Sequence, residues 1–282
     1  SVCAQGTSLQ MLNKFFKTYL SDTFSNLHIL PFLMATSDDG FSVQNYREIT
    51  AEYGDWSDIQ TLTGSCHVMA DLVLNHCSQS SAAFKGFLDG DPRYAQYFFE
   101  PDADFDFSQV TRPRPQSVIQ EFESNRGLRR VWATFSRDQI DLNYRDPQVL
   151  YDMIDHLLYY LEQGINVVRL DAVAFLWKKS GTTCVNLPET HEVVRLMRSI
   201  VDAVKPTLQK QAASADRTGT GTLSVGKHLL SMEEVSAFMK SLDKNQISEL
   251  SLESKFSNQK NIKFTIKDNG KEKITTLFSY KA

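Results

Sequence analysis

The sequence predicts an α/β fold in which short parallel strands alternate with helices. Three stretches contain apolar runs typical of strands, at residues 27–34, 67–76 and 164–177, and helical patterns lie before the first stretch and on both sides of the third. Strands that are separated by helices pair in parallel through right-handed crossovers. Because each run has polar or charged residues at or near its carboxyl end, we expect these ends to carry a site.

The helices follow from apolar residues at helical spacing, which predict them at residues 8–24, 147–163 and 188–204. Gly164 ends the second helix. Between residues 77 and 146 the alternation of strands and helices stops. The aromatic-rich segment "RYAQYFFEPDADFDF" and the proline-containing segment "RPRPQ" indicate an insertion that packs over the strand ends.

The charge distribution divides the chain into an acidic body and a basic tail. Residues 1–206 carry 18 Lys and Arg against 26 Asp and Glu, whereas the rest carries 12 against 8. Residues 207–226 are rich in Ala, Ser, Thr and Gly without an apolar period, which is the composition of a linker. Residues 227–282 contain a capping-box helix pattern and, around Asn269-Gly270, a β-hairpin pattern. We therefore predict a body, a linker and a small α+β tail.

The composition excludes several classes of protein. No apolar run approaches the roughly 20 residues of a membrane span, and the net charge of −4 argues against general nucleic-acid binding. The four cysteines are scattered, so we expect free buried thiols, no metal site and no cofactor. Free thiols fit an intracellular compartment, although an even number of them does not exclude secretion. The start at Ser1 leaves open an organelle reached after removal of a targeting peptide.

The run at residues 164–177 combines the pattern of a buried strand with two charges. Arg169 and Asp171 are two residues apart and therefore point to the same face of a strand. A buried charge costs several kcal/mol unless it is paired and hydrogen-bonded. We expect the two side chains to form an ion pair, which either ends the strand as a structural contact or belongs to a site.

Five blocks of sequence together resemble a known family. They are "HILPF", "SDDGFSVQNYREI", "DLVLNHCS", "VWATFSRDQIDLNYRDP" and "VVRLDAVAFLWK". In order and spacing they are similar to the sucrose-phosphorylase-like branch of glycoside hydrolase family 13, the α-amylase family, over about residues 7–206. The resemblance implies a TIM-type (β/α)8 barrel with an insertion after the third strand, truncated here to part of the barrel. It also implies transfer of an α-glucosyl group with retention of configuration.

The resemblance implies roles for residues of these blocks. Asp171 matches the catalytic nucleophile, and Arg169 matches the arginine that positions it. Asn75 and His76 close the block "DLVLNH", whose histidine lies against the glucosyl unit, and Asp38 matches an aspartate that holds glucose hydroxyls. A retaining reaction needs a carboxylate nucleophile and an acid–base carboxyl about 5–5.5 Å away, and a neighbouring guanidinium keeps the nucleophile ionised.

Several of these assignments have a structural alternative. His76 by itself is also compatible with a structural histidine, and Asp38 and Asp39 before Gly40 are ordinary turn residues. We expect four aromatic side chains of the insertion to pack within it, and the alternative is that they bind sugar rings. They are Tyr94, Tyr97, Phe98 and Phe99.

The blocks do not include the second carboxylate of a retaining reaction. The resemblance places it on a fifth strand after the helix at residues 188–204, where the linker composition follows instead. Five glutamates of the tail stand on no predicted barrel strand. They are Glu233, Glu234, Glu249, Glu253 and Glu272. Since a general acid contributes ~10²–10⁴-fold in rate, we predict a catalytically degenerate protein.

A barrel with about four of its eight strands leaves strand edges and apolar faces open. We therefore expect a structural or accessory subunit, with protein subunits of a larger complex covering the open barrel edges and a glucoside as a further ligand to test. Three alternatives remain. They are a retaining α-glucosyl transferase or phosphorylase whose acid–base half comes from another chain, a glucoside-binding module, and a rearranged or incomplete version of a full enzyme.

Overall fold

The computed structural model describes residues 6–215, 236, 247–254, 259–268 and 271–281. The α-helices in these residues are α1 (Ser8–Phe15), α2 (Trp56–Thr63), α3 (Ala82–Asp89), α4 (Pro147–Glu162) and α5 (Pro188–Ala215). The strands are β1 (Asn26–Ile29), β2 (Leu33–Ala35), β3 (Val43–Ile49), β4 (His67–Val73), β5 (His76–Cys77), β6 (Ile119–Phe122), β7 (Arg129–Trp132), β8 (Ile140–Asp141), β9 (Val167–Asp171), β10 (Ile247–Ser254), β11 (Gln259–Asp268) and β12 (Lys271–Lys281). Shorter turns are a π-helix at Phe16–Leu20 and 3₁₀ turns at Asp38–Gly40, Pro92–Tyr94 and Val173–Phe175.

A parallel sheet of three strands, in the order β1–β4–β9, carries the predicted site. The predicted parallel strands are confirmed as β1, β4 and β9, although the first stretch, residues 27–34, also includes most of β2, which pairs antiparallel with β3. In the register of β4 and β9, Asp71 lies opposite Arg169. The part of the chain that the structure describes contains no closed barrel. About four barrel strands were predicted, and the described residues contain three parallel ones.

The two faces of this parallel sheet differ in burial. On one face, Val68, Ala70 and Leu72 of β4 are fully buried, and β4 packs against α2, a helix that the sequence did not predict. On the other face, β9 exposes Val167 and Arg169 to solvent. The prediction of a buried strand is therefore wrong for this face. Val167 and Arg169 are two residues apart in β9 and therefore share the accessible face.

Residues 77–142, most of the predicted insertion, contain α3 and two antiparallel strand pairs, β5–β8 and β6–β7, of which the first begins at His76. The ring of Phe84 is fully buried among three phenylalanine rings at centroid distances of 4.9–5.7 Å. Tyr97, Phe98 and Phe99 are buried, and Tyr94 packs edge-on against Tyr97. The prediction that these four aromatic side chains pack within the insertion is confirmed.

The described chain divides into two compact units. The first is Ser1–Leu142, Gln163–Leu176 and Ser180–Thr183, and the second is Asn143–Glu162, Trp177–Lys179 and Cys184–Ala282. In the second unit α4 and α5 contact each other and bury apolar side chains at helical spacing. Helix α5 continues to Ala215, so the predicted linker at residues 207–226 does not begin at 207. Residues 216–226 lie outside the described residues.

The tail of the second unit contains an antiparallel sheet in the order β10–β11–β12. Asp268 pairs with Lys271, so β11 and β12 form the hairpin that the pattern around Asn269-Gly270 predicts. Strand β10 was not predicted. Of the helix expected between the linker and the hairpin, only Ser236 is described.

Candidate active site

The predicted site residues lie on or after the three parallel strands, towards their carboxyl ends. Asp38 follows β1 and β2, Asn75 and His76 follow β4, and Arg169 and Asp171 stand in β9. The carboxyl ends of parallel strands share one edge of a sheet, which is where barrels of this type assemble their sites. The structure organises these side chains into two hydrogen-bonded clusters.

The first group, which we call the arginine cluster, consists of His28, Asp71, Arg169 and Asp171. Nη1 of Arg169 donates a hydrogen bond to Oδ1 of Asp71, and it donates another to Oδ1 of Asp171 over 2.9 Å. Nε2 of His28 lies 2.8 Å from Oδ2 of Asp71. The ion pair predicted between Arg169 and Asp171 is therefore confirmed, and Asp71 joins it as a second carboxylate.

Burial distinguishes the two carboxylates of the arginine cluster. The side chain of Asp71 is 0% exposed, whereas those of Asp171 and Arg169 are 18% and 46% exposed. The hydrogen bond from Arg169 to Asp71 raises the pKa of Arg169, and the bond to Asp171 adds to this effect. A buried carboxylate needs a paired charge, so Asp71 anchors the guanidinium. Asp171 is the carboxylate that a ligand can reach.

The chain turns sharply directly after Asp171. Ala172 has a φ of 52°, in the left-handed region that costs an L-residue about 1–2 kcal/mol. A 3₁₀ turn at Val173–Phe175 follows, and the ring of Phe175 packs edge-on against Phe135 at 5.3 Å. Strain of this kind gathers at functional sites, and here it stands at the end of the strand that carries Asp171.

The second group, the amide cluster, consists of Asp38, Asn75, His76, Gln139 and Asp141. Nε2 of Gln139 donates a hydrogen bond to Oδ2 of Asp38 over 2.8 Å, and it lies 3.1 Å from Nε2 of His76. Nδ2 of Asn75 donates to Oδ2 of Asp141 over 2.9 Å. Sequence reasoning missed Gln139 and Asp141, whose only signal was their place in the block "VWATFSRDQIDLNYRDP".

The members of the amide cluster differ in accessibility. Asn75 is fully buried and its side chain amide binds Asp141, and its role in substrate binding stays a prediction. Its amide ties the end of β4 to the insertion. His76 is also buried, and its Nε2 lies 3.0 Å from the carbonyl oxygen of Phe41. Asp38 is exposed and has a φ of 54°, which aspartate tolerates in turns.

A clamp around Asp138 holds the loops of the amide cluster together. Thr36 Oγ1 and Ser37 Oγ each donate to Oδ2 of Asp138 over 2.6 Å. Ser42 Oγ donates to the same oxygen over 2.9 Å, and Ser78 Oγ donates to Oδ1 over 3.0 Å. Burial by itself raises the pKa of Asp138, but hydrogen bonds from these four hydroxyls outweigh it and hold the pKa below its ordinary value. The clamp therefore contains an ionised carboxylate.

A cavity of about 560 Å³ opens beside the amide cluster. Asp38, Gln139 and Phe135 line it together with two arginines, Arg114 and Arg137. Its wall thus combines a carboxylate, an amide and cationic groups, which suits a polar ligand with several hydroxyls.

The cysteines of the described residues are unsuited to chemistry at this site. Cys66, Cys77 and Cys184 are free thiols, and burial raises the pKa of Cys77 to about 12, so its thiol stays protonated. Within residues 6–204 and the described strands of the tail, no group of three His, Cys, Asp or Glu side chains is placed to hold a metal ion. No helix in the same residues is long and apolar enough to cross a membrane.

The chain matches one protein family over most of its length. The profile of the family described as "Alpha amylase, catalytic domain" matches residues 18–280, beyond residue 206, where the resemblance was expected to end. The glucosylglycerate phosphorylase of Spirochaeta thermophila is 49% identical over 198 residues, which cover 70% of this chain and 34% of that protein. The glucosylglycerate phosphorylase of Escherichia coli is 46% identical over 199 residues, which cover 70% and 36%. The chain spans about a third of the length of these relatives.

Solved structures agree with this match. A sucrose 6F-phosphate phosphorylase from Thermoanaerobacter thermosaccharolyticum has a TM-score of 0.63 at 30% identity, covering 68% of this chain and 42% of that one. An isomaltulose synthase variant from Erwinia rhapontici has a TM-score of 0.59 at 21% identity, covering 69% and 39%, and shows the fold alone. The chain therefore belongs to the α-amylase family, glycoside hydrolase family 13, in its sucrose-phosphorylase-like branch.

Proposed function

We propose that the arginine cluster is the glucosyl-donor half of an α-glucosyl phosphorylase site, in a chain that is catalytically degenerate by itself. The observation that carries this proposal is the position of Arg169, which bridges buried Asp71 and accessible Asp171 at the carboxyl end of β9. In this proposal Asp171 attacks the anomeric carbon of an α-glucoside while the bond from that carbon to the leaving-group oxygen breaks. That oxygen takes its proton from a general acid that another chain has to supply. Arg169 donates a hydrogen bond to the carboxylate of Asp171 and aims it at the substrate.

The proposed ligand is an α-glucoside, because the relatives are named glucosylglycerate and sucrose 6(F)-phosphate phosphorylases. The exposed carboxylate of Asp38 is suited to accept hydrogen bonds from glucose hydroxyls. His76 is proposed to lie against the glucosyl unit. Its Nε2 lies 3.1 Å from the amide of Gln139, so a sugar contacts His76 only after the side chain of Gln139 shifts.

Degeneracy is proposed because a retaining reaction needs a second carboxyl about 5–5.5 Å from the nucleophile. Asp71 shares Arg169 with Asp171, but it is fully buried and hydrogen-bonded on both oxygens. It therefore does not fit the role of proton donor to a leaving group. Without a general acid the rate falls by roughly 10²–10⁴-fold, so we expect little turnover of sucrose or glucosyl phosphate by the chain alone.

The proposed biological role is that of a structural or accessory subunit in a larger protein assembly. Support comes from the outer strands of the parallel sheet, where Leu30 directly after β1 is 68% exposed and Val167 in β9 is 43% exposed. Open strand edges with apolar neighbours pair with other chains. Light scattering of the purified chain tests this role, and a monomer that stays soluble at high concentration contradicts it.

A second candidate is a phosphorylase whose acid–base half is supplied by another chain. The contact of 2.9 Å between Arg169 and Asp171 favours it, because that contact is what a nucleophile needs. A partner chain with a carboxyl on a strand end distinguishes the two candidates. If the second proposal is right, adding such a partner restores turnover of an α-glucoside. If the first is right, turnover stays absent after the addition.

The decisive experiment uses an activated substrate, since fluoride leaves without protonation. The purified chain is incubated with 5-fluoro-α-D-glucosyl fluoride, and its mass is measured intact and after proteolysis. We expect one glucosyl group on Asp171, lost in Asp171→Asn and kept in the exposed control Asp104→Asn. An unlabelled chain contradicts the donor site. Turnover of sucrose by the wild type that Asp171→Asn abolishes contradicts degeneracy.

A further inference from the structure

His28 extends the arginine cluster to the outer strand β1. We infer that His28 is a positioning residue for glucosyl transfer: it fixes the carboxylate of Asp71, and thereby leaves Arg169 free to hold Asp171. The inference rests on the proposed role of Asp171 as the nucleophile. His28 itself touches Asp71 and not the reacting atoms.

The register of the sheet brings three strands to one carboxylate. His28 pairs with Met69, two residues before Asp71, so His28 and Asp71 point to the same face of neighbouring strands. Asp71 lies opposite Arg169 on the other side. Oδ2 of Asp71 therefore takes its partner from β1, 2.8 Å away, whereas Oδ1 takes its partner from β9. A rotation of the Asp71 carboxylate breaks both contacts, so the side chains from β1 and β9 fix its orientation.

Because Asp71 is buried, the loss of its hydrogen bond with His28 has a larger effect than the loss of a surface contact. The side chain of Asp71 is fully buried, so water does not replace a lost donor on Oδ2. Without the contact from His28, the buried carboxylate draws more strongly on its other partners, and the guanidinium of Arg169 is one of them. That group already serves both carboxylates through the single atom Nη1. Without His28, Asp71 and Asp171 compete for Arg169, and the buried carboxylate wins.

The chemistry of the contact defines the variants that test it. Nε2 of histidine donates a hydrogen bond in the imidazolium and in one neutral tautomer. Glutamine places an amide donor at similar reach, whereas leucine keeps much of the volume and donates nothing. His67 is a matched control: it is an exposed histidine on the same face of β4, four residues before Asp71, or roughly 13 Å along the strand.

The test measures labelling by 5-fluoro-α-D-glucosyl fluoride as a function of its concentration. For His28→Leu we expect a maximal labelling rate about tenfold or more below wild type, because the nucleophile is misplaced, with the half-saturating concentration unchanged. We expect His28→Gln to restore most of the rate and His67→Gln to match wild type. Equal rates in wild type and His28→Leu overturn the inference, and so does a loss that glutamine does not restore.

A second measurement is independent of the sugar. In ¹⁵N-arginine-labelled protein, the Nη signals of Arg169 are assigned by their loss in Arg169→Lys. We expect these signals to shift in His28→Leu and to keep their positions in His28→Gln and His67→Gln. Unchanged signals in His28→Leu overturn the inference even if no labelling occurs. A wild type that is not labelled, with signals that shift as expected, contradicts the proposed function alone.

Discussion

The carboxylate of Asp138 accepts five hydrogen bonds, and its replacement tests how the loops around the amide cluster are held. The donors lie 2.6–3.2 Å from the two oxygens. They are the hydroxyls of Thr36, Ser37, Ser42 and Ser78 and the backbone N–H of Gln79. Asp138→Asn keeps the shape of the side chain but turns one acceptor into a donor, whereas Asp138→Ala removes all five contacts.

The magnitude follows from which donors lose their partner. A hydrogen bond to a charged acceptor contributes about 1.5–3 kcal/mol, and such contributions are not additive. Thr36 and Ser37 are exposed, so their hydroxyls turn to water at little cost. Ser42 and Ser78 are fully buried and lose a charged partner; Ser42 keeps the backbone carbonyl of residue 138, and Ser78 keeps the hydroxyl of Thr36. We therefore expect unfolding free energies lower by about 2 kcal/mol for Asp138→Asn and by about 4 kcal/mol for Asp138→Ala.

The pH dependence of this effect has a defined sign. The hydrogen bonds hold the pKa of Asp138 in the folded protein below its ordinary value, so the folded state binds the proton less readily than the unfolded chain. The stabilisation is complete above the unfolded-state pKa of about 3.9 and is lost as the pH falls through the folded-state pKa. The difference between wild type and Asp138→Asn therefore shrinks as the pH falls below about 4.

Urea unfolding at pH 7 and at lower pH measures this difference. The control is Asp104→Asn, which replaces an exposed aspartate of the same insertion. A loss at pH 7 below about 0.5 kcal/mol for Asp138→Asn, the size of an ordinary surface substitution, refutes the reasoning. An equal loss in the control refutes it as well.

Three further predictions concern the core, the backbone and the charges. Phe84→Ala removes a fully buried ring from the insertion and lowers the unfolding free energy by about 3–5 kcal/mol in urea titrations. Phe84→Leu lowers it clearly less, and equal losses in the two variants contradict this prediction. Ala172→Gly relieves a φ of 52° and raises the melting temperature, with a gain of about 0.5–1 kcal/mol, so a lower melting temperature contradicts it. Arg169→Met leaves the buried carboxylate of Asp71 without its guanidinium and costs about 3 kcal/mol in urea, and adding Asp71→Asn recovers at least part of that loss. A double variant no more stable than Arg169→Met speaks against this account.

The pair of Arg169 and Asp171 shows what local pattern reveals. Two residues apart in a strand, they share a face whatever the rest of the chain does, and the structure joins them at 2.9 Å. Their role in catalysis stays a prediction. The third member of the contact, Asp71, is 98 residues from Arg169 along the chain, and no local pattern connects the two.

Gln139 and Asn75 show where the prediction of the site was incomplete. Gln139 contacts Asp38 across 101 residues, because the insertion returns over the strand ends, and its position in a loop gave no separate signal. Asn75 is expected to bind substrate, which stays a prediction; the sequence did not reveal that the insertion covers Asn75 and supplies Asp141 as a partner. Both outcomes depend on how residues 77–142 fold back, which neither periodicity nor composition encodes.

The sequence alone determined the three parallel strands, the helices around the first and third of them, and the alternation of side chains along each strand. These are local properties, set by backbone geometry with periods of 2.0 and 3.6 residues. The tertiary structure alone decided that β9 is exposed on one face, that Asp71 is the buried partner of Arg169, and that His28 holds its other oxygen. Those facts follow from strand register and from burial, which arise only when segments that are 43 to 101 residues apart meet.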